Sequence, residues 1–117
     1  MKYEQLEVWQ RSFELSIKIY RLFIHSRDYG FKDQICRSSI SVPSNIAEGM
    51  ERWSDKEKAR FLSIAKGSIG ELKTQVMIAK EIEYISGDEC SSLSNECEQI
   101  SKMLGSFIRT LRTNIEY

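Results

Sequence analysis

Between Leu62 and Ala79 the side chains Leu62, Ala65, Ile69, Leu72, Val76 and Ala79 recur in alternating steps of three and four. A chain with 3.6 residues per turn gathers all six on one stripe, whereas a strand would scatter them over both faces. The pattern is the seam of a long helix packed nearly antiparallel against others. Its start is marked by Ser54-Asp55-Lys56-Glu57, a capping box in which serine and glutamate satisfy backbone donors reciprocally. The helix is predicted to reach Ile85, because Ser86-Gly87-Asp88-Glu89 combines a breaker with a second capping box. Phe61, Ile64, Ile78 and Ile82 add a second apolar stripe.

Three further segments share this period. Leu6, Trp9, Phe13, Ile17, Tyr20 and Ile24 form one series, widened by Val8, Leu15, Ile19, Leu22 and Phe23, and predict a first helix with more than one buried side. After a break over His25 to Gly30, a second segment runs from about Phe31 to Arg52 on Ile35, Ile40, Val42, Ile46 and Met50. The last segment is anchored by Leu93, Cys97, Ile100, Leu104, Phe107, Ile108, Leu111 and Ile115. Long helices joined by short turns pack beside their sequence neighbours. The expected fold is therefore all-α, an up-down antiparallel four-helix bundle, with residues 1–117 forming a single domain.

The only proline interrupts this reading. Ser41-Val42-Pro43-Ser44-Asn45-Ile46-Ala47-Glu48-Gly49 places Pro43 inside the second helix, where a missing N–H and a steric clash cost about 3 kcal/mol or more. A kinked helix is expected, with the hydroxyls of Ser38, Ser39 and Ser41 donating to the freed carbonyls. Asn45 and Glu48 are expected to satisfy backbone groups near Pro43. Glu48 and Glu71 are also the carboxylates best placed for acid-base work, but no histidine or pocket motif accompanies them, and structural roles are expected. Gly67 and Gly70 flank Ser68 in the third helix, where each glycine costs about 1 kcal/mol relative to alanine. Close packing at Ala65-Lys66-Gly67-Ser68 would compensate, within the bundle or between subunits. Gly67→Leu is accordingly expected to disrupt packing.

Composition removes several classes of function. Apolar residues make up 41% and charged residues 29%, and Gly and Pro together number seven, so the chain is neither disordered nor loop-rich. Seventeen basic and seventeen acidic residues cancel, which removes a strongly positive domain as the argument for a nucleic-acid partner. Cys36, Cys90 and Cys97 form no disulfide framework, and Cys90 and Cys97 would stand about 10.5 Å apart along one helix. Free thiols in a reducing cytoplasm are expected. The start Met1-Lys2-Tyr3-Glu4-Gln5 lacks a secretory signal's apolar run, and no run approaches the ~20 apolar residues of a membrane span. A cytoplasmic protein with no membrane partner is predicted.

A di-iron site in a bundle needs inward glutamates and Glu-x-x-His pairs, yet the only histidine is His25 and position 22 is leucine. Phosphate-binding glycine loops, nucleophile elbows and zinc-ligand cysteine pairs are missing from the sequence. No enzyme, cofactor or metal is expected.

The run Ile40 to Gly49, followed by Phe61-Leu62 and by Ala65-Lys66-Gly67-Ser68-Ile69-Gly70-Glu71-Leu72, resembles the bacterial four-helix-bundle family encoded in intervening sequences of large-subunit ribosomal RNA. Leu6-Glu7-Val8-Trp9-Gln10 is similar to that family's opening. The resemblance implies a homo-oligomer, a pentameric barrel with a central channel. It also implies a relation to the accessory variability determinant of diversity-generating retroelements, a strongly basic group associated with nucleic acid and a reverse transcriptase. The neutral charge of this chain departs from that group. Within the resemblance, Pro43, Asn45, Glu48, Gly49, Gly67, Ser68 and Glu71 are the motif's structural residues.

Two functions follow as expectations. The first is RNA binding by the oligomer through Lys66, Lys73 and Lys80, spaced by seven on one helix, with Arg109 and Arg112 on another. Symmetry would turn this stripe into a ring that neutralises phosphates. Replacing the three lysines together by glutamine is expected to weaken RNA binding with the fold intact. The second is a protein-interaction scaffold without nucleic acid, in which Tyr3, Trp9, Trp53 and Tyr117 are anchors.

Overall fold

The computed structural model describes residues 2–116, with side chains through residue 115. A 3-10 turn at Tyr3–Gln5 precedes four helices: α1 Glu7–Leu22, α2 Tyr29–Met50, α3 Asp55–Glu81 and α4 Gly87–Glu116. Cross-helix partners establish their directions. Ser16 meets Ser39 and Phe23 meets Phe31 between α1 and α2; Ser41 meets Ser68 and Ser38 meets Glu71 between α2 and α3. Partner numbers run in opposite senses in each pair, as they do for Lys73 with Glu98 and Lys66 with Gly105 between α3 and α4, so successive helices are antiparallel. Helix α1 touches α2 and α4, and α3 touches α2 and α4. Among the described residues neither diagonal pair meets, which is the square arrangement of a four-helix bundle.

The two capping serines act as expected, with different completeness. Ser54 Oγ accepts from Glu57 N at 3.1 Å, but the Glu57 carboxylate turns to Arg60. At α4 the box is closed: Ser86 Oγ accepts from Glu89 N at 3.0 Å, and Glu89 Oε1 accepts from Ser86 N at 2.8 Å. Helix α3 ends at Glu81, earlier than the predicted Ile85. Tyr84 N donates to Ala79 O at 2.8 Å and Glu83 N to Lys80 O at 3.0 Å, the paired bonds of a Schellman motif. The left-handed residue is Glu83, with φ of 65°, and the glycine four residues later opens α4 instead. A Cβ is disfavoured in that conformation. Glu83→Gly is therefore expected to stabilise the protein by about 1 kcal/mol, read as a higher midpoint in urea or heat.

The α3 seam is buried as predicted, from Leu62 through Ala79, and faces Leu93, Cys97, Ile100, Leu104, Ile108 and Leu111 of α4. In α4 two anchors differ, since Phe107 is half-buried and Ile115 is exposed. Helix α1 reverses one expectation. The buried positions are Val8, Ser12, Leu15, Ser16, Ile19 and Phe23, whereas Phe13, Tyr20 and Ile24 of the leading series are exposed. Two interleaved apolar series occupy this helix, and the inward one contains the serines. Small side chains at positions 12 and 16 let α1 approach α2, where Ser16 and Ser39 share a hydrogen bond. Ile40 of α2, Ile64 and Ile78 of α3, and Ile82 just beyond its end likewise face outward.

Helix α2 carries the buried Pro43 in its interior and continues unbroken to Met50. The polar side chains around it do not serve the carbonyl of Ser39, the one the proline deprives of a donor. Ser38 Oγ shares its one hydrogen between Gln34 O and Glu71 Oε1, and Ser39 Oγ donates to Cys36 O. Asn45 Nδ2 donates to Ser41 O at 2.8 Å and to Ser41 Oγ at 2.9 Å, while Ser41 and Ser68 share a bond of 2.9 Å. The cluster ties α2 to α1 on one side and to α3 on the other. Asn45 thus behaves as expected, and Glu48 does not: it pairs with Arg52.

The expectation that these glycines pack within the bundle is corrected. A Cβ at Gly67 or Gly70 would meet nothing within 4 Å, and both residues are exposed. In the Ala65 to Ser68 segment it is Ala65 that enters the core and Ser68 that reaches α2, leaving Gly67 outward. The tight crossing is at Gly49, where an added Cβ would lie 3.0 Å from Phe61 Cβ and 3.4 Å from Lys58 O.

The seam between α1 and α4 is the least extensive of the four and carries a bidentate ion pair. Arg11 Nη2 and Nε donate to the two Glu96 oxygens at 2.6 and 3.0 Å. That hydrogen-bonded guanidinium holds the Glu96 carboxyl below the ordinary glutamate range. A depressed carboxyl stabilises the fold above its unfolded pKa and ceases to do so as pH falls through the folded value. Arg11→Met is expected to lose about 1 kcal/mol at neutral pH, discounted for partial exposure. It should also flatten the acid limb of stability against pH, measured by denaturation between pH 7 and pH 3.

Candidate nucleic-acid interface

The lysine stripe of α3 is divided by the tertiary structure. Lys73 Nζ donates to Glu98 Oε1 of α4 at 2.6 Å, and Lys80 lies 3.4 Å from Glu81. The Lys73 hydrogen bond, with its charge, draws the Glu98 carboxyl below its usual range, and Lys102 adds to the effect. Charges neutralised in this way attract phosphate less. Lys66 differs. Its Cε lies 3.4 Å from where a Gly105 Cβ would stand, and Arg109 Nη1 lies 3.7 Å from the same point.

Two cationic side chains thus converge over a residue with no side chain of its own. The groove is a cavity of about 470 Å³ between α3 and α4, lined by Ser63, Lys66, Gly67, Gly105, Ile108, Arg109 and Arg112. An adjoining cavity of about 340 Å³ extends it past Lys102 to Ser101 and Glu98. Among the described residues, Lys66, Lys102 and Arg109 form no ion pair. A multidentate basic groove of this kind suits phosphate oxygens, with the arginines able to bind in fork geometry.

Three of the five expected basic residues therefore meet, Lys66, Arg109 and Arg112, and Lys73 and Lys80 do not join them. Sequence reasoning missed Lys102 and Gly105. The signal was present, since 102, 105, 109 and 112 follow steps of three, four and three along one helix face.

The aromatic candidates separate as well. Trp9 is half-buried, stacked on Phe13 at 4.9 Å and tilted against Tyr3 at 5.4 Å. These rings line an apolar groove of about 590 Å³ between α1 and α2, floored by Ile17, Ile40, Pro43 and Ala47. Trp53 is wholly exposed, and Tyr117 lies outside the described residues. Glu48 and Glu71 have separate partners, Arg52 and Ser38, and form no catalytic pair. Among the described residues no cluster of His, Cys, Asp and Glu could hold a metal ion, and no helix is long and apolar enough to cross a membrane. Cys36 and Cys97 are buried free thiols, and burial pushes Cys97 up to about 12.

Comparison with known proteins agrees with the fold. The family described as 23S rRNA-intervening sequence protein matches residues 4–106. The chain is similar to a crystal structure of a protein of unknown function from the S23 ribosomal protein family of Bacteroides thetaiotaomicron VPI-5482. The two share 27% identity over 86% of this chain and 97% of that one, with a TM-score of 0.81. No curated protein matches.

Proposed function

Because this chain belongs to the 23S rRNA-intervening sequence protein family, we propose that it is a non-catalytic bundle that self-assembles and binds structured RNA. The observation that carries the RNA reading is the meeting of Lys66 and Arg109 over Gly105, beside Lys102 and Arg112. Binding there is to the sugar-phosphate backbone and reads shape more than sequence. Neutral overall charge does not oppose it, because the acidic residues nearest the other lysines are engaged in pairs, and assembly multiplies the groove.

Self-assembly is supported by two apolar faces on different sides of the bundle. One is the α1–α2 groove with Phe13, Tyr20 and Ile40, and the other is the outer side of α3 with Ile64, Ile78 and Ile82. Two unlike faces favour a head-to-tail contact, which forms a ring where the rotation per subunit closes; a homopentamer is the proposed assembly. Native mass and sedimentation test it. A single-chain mass at micromolar concentration would refute assembly and favour the second reading, a scaffold whose α1–α2 groove holds another bacterial protein.

The RNA reading is tested by binding to structured ribosomal RNA fragments across a salt series, with duplex DNA for comparison. Affinity for RNA should fall steeply as salt rises. No binding at low salt overturns it.

A further inference from the structure

The turn between α2 and α3 presents Trp53 fully open to solvent, with the residue 101% exposed. The turn itself is well held. Glu51 N donates to Ala47 O and Arg52 N to Gly49 O, and Ser54 caps the next helix. Its neighbour in sequence, Arg52, belongs to a cationic layer. The Arg52 guanidinium lies 4.7 Å from the centre of the Phe61 ring and that of Arg60 lies 4.9 Å from it.

This layer depends on the motif residues at the end of α2. Gly49 lets Phe61 approach at its Cβ, and Glu48 pairs with Arg52. Glu57 pairs in turn with Arg60. Pairing weakens the pull of each guanidinium on phosphate, as it does for Lys73, but each has five N–H donors, so one carboxylate leaves others free to hydrogen-bond. Arg60 lies one helical turn before Ser63, where the basic groove of α3 and α4 begins. A solvated indole on a hydrogen-bonded turn, with Arg52 next to it in sequence and Arg60 on the following helix, is the combination used to hold unpaired nucleotides.

We infer that Trp53 is a stacking platform for an unpaired base of the bound RNA, with Arg52 and Arg60 contacting the adjoining phosphates. The inference rests on the RNA reading and narrows it, since a looped or single-stranded element is required within the structured RNA. A fully paired helix offers no free base face to the indole.

The test compares a hairpin RNA carrying an unpaired loop with a blunt, fully paired RNA duplex. Trp53→Ala should weaken hairpin binding about tenfold or more, in line with loss of one base–aromatic stack, and leave duplex binding unchanged. Trp53→Phe should restore most of the hairpin affinity. In a Trp9→Phe background, the remaining Trp53 fluorescence should be quenched by the hairpin and not by the duplex. Hairpin binding that is equal in wild type and Trp53→Ala overturns the stacking role and leaves the RNA reading standing. Failure of wild type to bind either RNA overturns both. An altered native mass of Trp53→Ala, with hairpin affinity unchanged, would assign the indole to a subunit contact and also overturn the proposal.

Discussion

Gly49→Ala is expected to destabilise the protein by about 1–3 kcal/mol, because the new methyl group is held against Phe61 Cβ and Lys58 O, neither of which is the free end of a side chain. The usual helical gain from replacing glycine by alanine, about 1 kcal/mol, is smaller than this overpacking. Gly67→Ala should behave oppositely. With no atom within 4 Å of its Cβ, the substitution should raise stability by up to about 1 kcal/mol, and Gly70→Ala should do the same. Thermal or urea denaturation of the three variants decides the matter. Equal or reversed signs would show that the close crossing of α2 and α3 has been misplaced. Subunit packing on Gly67 would appear separately, as a loss of native mass in Gly67→Ala.

Replacing Lys66, Arg109 and Arg112 together by glutamine should weaken RNA binding by about ten- to a hundredfold. It should also reduce the salt slope by about 2 for each engaged chain. Replacing Lys73 and Lys80 should change affinity less than about threefold, because both already face carboxylates. This ordering separates the groove from the lysine stripe that spacing alone suggests. A larger loss from the Lys73 and Lys80 variant would restore the stripe and remove the groove. Circular dichroism should be unchanged in both, since none of these side chains enters the core.

The two predictions concern different links between sequence and structure. Helix existence was legible from local rules. The three-four spacing of Leu62 to Ala79, the serines at 54 and 86, and the break around residues 25–30 all report interactions within a few residues of themselves. Their partners are nearby in sequence, so no knowledge of the rest of the chain is needed. Glu83 shows where such rules stop. Its left-handed conformation belongs to a hydrogen-bonded terminus that a glycine would normally mark, and the glycine at 87 drew the predicted boundary several residues too far.

The candidate site was legible in part. Lys66, Arg109 and Arg112 could be named from charge and spacing, and the resemblance drew attention to the Asn45 to Gly49 segment. Their meanings required a neighbour. Gly105 matters because Lys66 crosses it, Gly49 because Phe61 arrives there, and Lys73 drops out because Glu98 stands opposite.

By itself the sequence determined four amphipathic helices, their order, two of their starts and the antiparallel bundle that short turns compel. These follow from backbone hydrogen bonding and from burial of a periodic apolar stripe, both of which are local in origin. Only the tertiary structure decided which of two apolar series on α1 turns inward, which glycine lies at a crossing, and which lysines remain without a carboxylate. Those outcomes depend on the rotation and register of each helix against its neighbours. Many side chains settle them together, so no single segment records them.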